Sequence, residues 1–243
     1  MRRLTVSLFI AFLAVGFLHP ISANAGLITI SPDAVNRLID YPYFDLRNQN
    51  FNDYFSTYQA TENNQRTLLF TSGNTFHNAL INALGAGYVI NEVTLTVGSS
   101  TFDEGGFGPY ASQGAKGAYK VLTAYNTDTV SWNSFNNGGV AGTNYETTAT
   151  ATGVISGDTT VWTFSPTLIN DWINSPTSNL GLFFPDYGTW EDNKDTTRKE
   201  NVVWTVNATA AVPEPCTLAL VGIGAGVCGL FKRRRRKIAQ PAA

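Results

Sequence analysis

Between Gly26 and Ala211 the chain has no cysteine and a single histidine, His77. Both cysteines, Cys216 and Cys228, lie near the C-terminus. The long middle segment therefore has no internal disulfide, no thiol nucleophile and no His-rich metal site. It must be held by an apolar core alone, which its 186 residues can supply. Positive charge is also scarce there. Eight Lys/Arg stand against seventeen Asp/Glu, a net charge of −9, although the whole chain carries only −2. An acidic exterior disfavours nucleic acid and acidic polymers as electrostatic partners. Divalent cations and neutral glycans suit it better.

Both ends of the chain carry address signals. Met1–Ala25 opens with Arg2 and Arg3, continues through an apolar stretch to Leu18, and ends in small residues. That is the pattern of a secretory signal peptide. Ala23 and Ala25 form an A-x-A site, so Gly26 is the expected mature N-terminus. At the other end Val212-Pro-Glu-Pro215 precedes the uncharged run Cys216–Phe231, of 16 residues. As a helix that run spans roughly 24 Å, and the adjoining basic side chains can snorkel to lengthen it. It reads as a transmembrane helix. Lys232, Arg233, Arg234, Arg235, Arg236 and Lys237 form a membrane stop that keeps this end cytoplasmic, with residues 238–243 as a short cytoplasmic tail. Everything before Val212 is then expected outside the membrane, at the cell envelope or surface.

Pro213 and Pro215 hold the backbone extended around Glu214, where a processing enzyme can reach it. The whole order of residues 211–237 resembles the PEP-CTERM sorting signal of Gram-negative bacteria. It combines Pro-Glu-Pro, an apolar segment containing Gly222, Gly224, Gly226 and Gly229, and an Arg-rich block. The resemblance implies Pro213, Glu214 and Pro215 as the sorting motif. It further implies an exosortase, a membrane-embedded processing enzyme, as partner, and delivery to the cell surface or extracellular matrix. Gly224-Ala-Gly226-Val-Cys-Gly229 also fits a dinucleotide-binding fingerprint. That pattern needs a preceding strand and a βαβ unit, which an apolar membrane segment does not supply. Close helix packing accounts better for these glycines.

Residues 26–211 form one expected domain. They are rich in Thr, Asn, Gly, Tyr and Phe, a β composition with turn residues. Strands are expected at Leu27–Ile30, Thr67–Phe70, Tyr88–Val97, Tyr119–Tyr125, Thr147–Ile155, Thr160–Phe164, Leu180–Phe184 and Val202–Ala208. In the third, Val93, Leu95 and Val97 share a face; in the last, Val202, Trp204 and Val206 do. One helix is signalled by Ser165 as N-cap, Pro166 at the first helical position and a stripe of Leu168, Ile169, Trp172 and Ile173. The pattern predicts an all-β fold, an antiparallel β-sandwich of jelly-roll type with one short capping helix. Trp132, Trp162, Trp172 and Trp204 lie in patterned segments and are expected in the core.

Five segments occur in order: Gln65–Phe70, Ile90–Leu95, Thr129–Asn133, Leu168–Ile173 and Asn179–Phe183. Together they resemble the DNRLRE-type β-sandwich modules, which are grouped with carbohydrate-binding modules. The resemblance spans roughly residues 30–208 and implies a carbohydrate-binding-like sandwich. Tyr41–Tyr58 and the long loop Asp186–Asn201 depart from it, so no binding residue is carried over.

Sugar binding stacks a pyranose on an exposed ring beside polar groups. Tyr187 and Trp190, in a polar loop, are the candidate glycan-binding residues, ahead of Tyr41, Tyr43 and Tyr110. Oxygen-rich loops also bind calcium. Asp186, Glu191, Asp192 and Asp195 of the same loop are the candidate ligands, though Lys194, Arg198 and Lys199 partly neutralise it and a solvated loop is the competing reading. No other cofactor is expected. His77 stands alone, without the context of a nucleophilic triad, and reads as a structural or surface residue. Asp103-Glu104 is the acidic loop most suggestive of glycoside hydrolysis, which needs two facing carboxylates. Asn207-Ala-Thr209 matches a glycosylation sequon but overlaps the last strand. The expected function is therefore non-catalytic: a matrix- or surface-displayed domain that binds glycan or builds extracellular matrix. A polysaccharide-active enzyme and a purely structural surface protein are the alternatives.

Overall fold

The computed structural model describes residues 25–41, 46–57, 64–85, 87–98, 117–156, 159–185 and 195–211. The expected signal peptide apart from Ala25, the expected sorting segment and basic stop, Asp103-Glu104 and all of the 186–195 loop but Asp195 lie outside them. The described chain is all-β and antiparallel, with two helices. Its strands are β1 (Ala25–Ile30), β2 (Ala34–Asp40), β3 (Phe51–Asn52), β4 (Tyr54–Thr57), β5 (Asn64–Phe70), β6 (Tyr88–Gly98), β7 (Gly117–Lys120), β8 (Ala151–Ser156), β9 (Thr159–Phe164), β10 (Leu182–Phe184), β11 (Asp195–Arg198) and β12 (Val202–Ala210). Ten of these make one sheet in the order β1-β12-β6-β9-β8-β7-β10-β5-β2-β3, and β4 pairs with β11 separately.

Strand β12 shows how the pattern sets the register. Val202, Trp204, Val206 and Ala208 are buried and alternate with half-buried residues. Its partner β6 buries Val93, Leu95 and Val97 but also Ile90, which has the opposite parity. The pairing slips by one residue between Asn207 and Ala208, where Asn207 faces Glu92 and Ala208 faces Ile90. This bulge restores the inward direction for Ile90.

The sheet curls on itself. Its two halves join through the short β7–β8 pairing at Gly117–Thr152 and Ala118–Ala151. They then meet face to face: Trp162 of β9 lies 5.2 Å from Phe184 of β10, and Phe55 of β4 lies 4.9 Å from Phe184. Phe55, Leu69, Val93, Leu95, Trp162, Phe184 and Trp204 belong to this central core. A second core lies on the other face of β2, β5 and β10, where Leu38, Leu68 and Phe183 meet Val121, Val130, Trp132 and Phe135. The long connection after β7 supplies the covering residues. Burial on both faces explains the unbroken apolar runs Leu68-Leu69 and Leu182-Phe183-Phe184. It also shortens two expected strands. At Val121 the chain leaves β7 to build the second core, and it rejoins the sheet only at Ala151. All four tryptophans expected in the core are buried.

The expected helix is present as α2 (Pro166–Asn174), with Ser165 capping Thr167 N and with Leu168, Ile169 and Trp172 buried. The expectation of one helix needs correction, because α1 (Gly73–Leu84) precedes it in the chain. Ser72 caps α1 by accepting from Thr75 N at 3.1 Å. Asp33 then holds the cap, accepting from Ser72 N at 2.6 Å and Thr75 Oγ1 at 2.8 Å. Phe76 and Leu80 are buried, and Leu84 packs on the same core. The helix is uncharged and Asn-rich, so tertiary burial rather than propensity sustains it. The helices touch at Gly73, where a Cβ would fall 2.0 Å from Trp172 O. Together they close one end of the core over Trp204, whose ring lies 5.4 Å from Phe76 and 6.3 Å from Trp172. Among the described residues no helix is long and apolar enough to cross a membrane; the expected transmembrane run 216–231 is not among them.

Candidate binding groove

Two neighbouring clefts form a groove beside the end of β5. One, of about 380 Å³, is lined by Phe70, Tyr125, Asn126, Thr127, Pro176, Thr177, Asn179 and Leu180. The other, of about 270 Å³, is lined by Asp33, Ala34, Val35, Asn52, Asp53, Phe70, Thr127 and Asp128. Phe70 and Thr127 belong to both. Apolar rings and prolyl surface thus alternate with amides and hydroxyls, the mixture expected where a polar, uncharged ligand binds.

The walls are fixed by local hydrogen bonds. Asn126 Oδ1 accepts from Asp128 N at 2.8 Å, and Asn126 O accepts from Val130 N at 2.8 Å. This Asx turn sets the position of Thr127. On the other wall, buried Asn179 donates to Thr71 O at 2.7 Å and accepts from Gly181 N at 3.0 Å. Gly181 has φ of 91°, and a Cβ there would meet Leu69 O at 2.4 Å, so only glycine fits. Tyr125 stands between the walls with its ring edge against Phe135, at 5.9 Å. Its hydroxyl is buried without a hydrogen-bond partner, and burial pushes its pKa well above the ordinary tyrosine value.

The acidic groups of the groove are already engaged in part. Asp33 caps α1, while Asp53 Oδ1 lies 3.7 Å from Lys199 Nζ. Lys199 Nζ also donates to Asp33 O at 2.7 Å. On β2 the Arg37 guanidinium sits 5.2 Å from the centroid of each of the Phe51 and Tyr54 rings, and burial lowers its pKa. Among the described residues no three or more His, Cys, Asp or Glu side chains gather as a metal site.

Of the residues singled out in the sequence, Ala25 and Gly26 open β1 opposite Thr209 and Ala208. Asp195 opens β11 opposite Thr57. His77 lies on α1 and shares a 2.8 Å hydrogen bond with the Tyr88 hydroxyl, a structural contact. Ala23, Asp186, Tyr187, Trp190, Glu191, Asp192, Pro213, Glu214, Pro215 and Lys232–Lys237 lie outside the described residues. The groove itself carries no signature in the sequence. Its lining comes from five separate stretches, near residues 33, 52, 70, 126 and 178, and no local motif joins them.

No protein-family model matches this chain, and no curated protein matches it.

Proposed function

We propose that the protein is exported, sorted through its C-terminal signal by an exosortase-type enzyme, and displayed at the cell surface or in extracellular matrix, where its β-domain binds neutral glycan without catalysis. The curled sheet, with two halves facing each other over one core, is read here as a β-sandwich of jelly-roll type. The supporting observation for binding is the groove that joins Phe70 and Tyr125 to Asn126, Thr127 and Thr177. Rings supply stacking faces, and amides and hydroxyls supply donors and acceptors for sugar hydroxyls. The domain's −9 charge favours a neutral polymer over an acidic one. Tyr187 and Trp190 remain proposed as further sugar contacts, and Asp186, Glu191, Asp192 and Asp195 as proposed calcium ligands. A polysaccharide-active enzyme would need two free carboxylates facing each other across the groove, and the engagement of Asp33 and Asp53 favours binding instead.

The test is retention of the mature protein on a panel of immobilised neutral polysaccharides. Phe70→Ala and Thr177→Ala should each weaken binding roughly tenfold, a loss of about 1.4 kcal/mol, with the fold intact by circular dichroism. No retention by the wild type, or retention unchanged in both variants, would leave a structural matrix role.

A further inference from the structure

Arg37 stands on β2 in register with Phe51 of β3. Its guanidinium carbon lies 5.2 Å from the centroid of the Phe51 ring and 5.2 Å from that of Tyr54 on β4. Across the β4–β11 pairing, Tyr54 stands opposite Arg198. Directly opposed residues of an antiparallel pair share a face, so a second arginine adjoins the same tyrosine. Two of the domain's eight Lys/Arg residues thus meet at one ring.

Arg37 has no counter-charge. Its Nε is buried without a hydrogen-bond partner, and among the described residues no carboxylate pairs with it. Acids are not scarce, since the domain carries seventeen. Arg198 Nη1 lies 4.0 Å from Glu200 Oε1, and both side chains are more than half exposed, so that pair is weak. Burial disfavours the charge on Arg37, and attraction to Tyr54 offsets part of that. Ring faces attract a cation, but they leave the in-plane N–H donors of a guanidinium unanswered. A cation held half-buried without an anion is costly unless a ligand supplies the anion.

We propose that Arg37, Tyr54 and Arg198 form a receptor for one phosphate or sulfate ester group. A planar carboxylate is satisfied by a single guanidinium fork, since each of its two oxygens takes one N–H. A phosphate or sulfate ester offers a third oxygen, and here a second guanidinium and a phenol stand beside the first. The rings of Phe51 and Tyr54 hold the Arg37 fork in place, which lowers the ordering cost of binding. The domain's −9 charge repels a polyanion at long range. It leaves room for a single esterified group on an otherwise uncharged molecule, where contact is short and bidentate. The site is built on β2, β3, β4 and β11 and does not depend on glycan binding in the groove.

The experiment is thermal unfolding of the full-length mature protein in detergent, at fixed ionic strength, titrated with glucose 6-phosphate and glucose 6-sulfate. Glucose, glucuronate and inorganic phosphate are the comparison arms. At least one ester should raise Tm with half-saturation at about 1 mM, while glucose has no effect and glucuronate acts more weakly. Arg37→Met and Arg198→Met should each raise the half-saturation point roughly tenfold or more. Arg37→Lys, which keeps the charge and loses the fork, should bind more weakly than wild type. Without ligand, Arg37→Met should melt at or above the wild-type temperature, since it removes an unpaired cation from between two rings. The groove variant Phe70→Ala should respond like the wild type, which separates this site from the groove. No response to either ester, an equal response to glucuronate, or a response that survives Arg37→Met would each overturn the proposal. A response to inorganic phosphate alone would mark an adventitious ion only and overturn it as well.

Discussion

Gly153 stands directly opposite Trp162 across the β8–β9 pairing, and a Cβ on it would come within 2.7 Å of the indole. Trp162 is fully buried and packs against both Phe55 and Phe184. The absent side chain of Gly153 is what leaves room for the ring at the centre of the core. One half of the sheet gives up a side chain so that its indole can reach the other half.

Gly153→Ala should therefore destabilise by about 1–3 kcal/mol, the ordinary cost of overpacking a closed core. Urea denaturation should show a lower midpoint with an unchanged slope. A midpoint equal to wild type would mean that the indole does not occupy this space.

Trp204 Nε1 donates to Thr71 Oγ1 at 2.9 Å, and both residues are buried. Thr71→Val keeps the shape and removes the acceptor, leaving the indole N–H unsatisfied at a cost of about 1–3 kcal/mol. Thr71→Ser should recover most of that loss. If the valine variant proved as stable as wild type, the hydrogen bond would have no energetic role.

Tyr125 gives a pH signature. Its folded pKa is raised above the ordinary 10.0 by burial. Between the unfolded and folded values the native state holds a proton that the unfolded state has lost. Stability is thus unaffected by this group below pH 10, and falls as the pH rises further, by up to about 1.4 kcal/mol per unit. Tyr125→Phe should flatten that decline relative to wild type. At neutral pH the same variant removes an unpartnered buried hydroxyl and should be neutral or slightly stabilising. Parallel declines in the two proteins between pH 10 and 11 would contradict this assignment.

The long alternating strands were legible from sequence because one periodicity decided them. β6, β9 and β12 each present one apolar face, and Ser165-Pro166 marks α2 through its capping chemistry. β2 was not legible: Val35, Leu38 and Ile39 are buried on opposite faces, which erases the alternation. α1 was concealed by its Asn-rich, uncharged composition, although Phe76, Leu80 and Leu84 recur at helical spacing. Its cap depends on Asp33, some forty residues earlier in the chain. The same reason hides the groove, whose Thr127 wall is tied to β2 where Asn36 Nδ2 donates to Thr127 O. Asn36 and Thr127 are 91 positions apart and meet only through tertiary folding. The proposed address signals are of a different kind, since each is a short contiguous pattern of charge and hydropathy.

The central claim, export and sorting through the C-terminal signal, is tested most directly by intact mass and fractionation of the protein from its native host. The wild-type tail would be compared with one in which Pro213, Glu214 and Pro215 are all changed to alanine. The account predicts a wild-type product that begins at Gly26, ends near Pro215 and is found at the surface or in the matrix. The altered tail should instead leave a chain that retains residues 216–243 in the membrane. The same full-length, membrane-held product from both tails would contradict it and reduce residues 212–237 to a plain anchor.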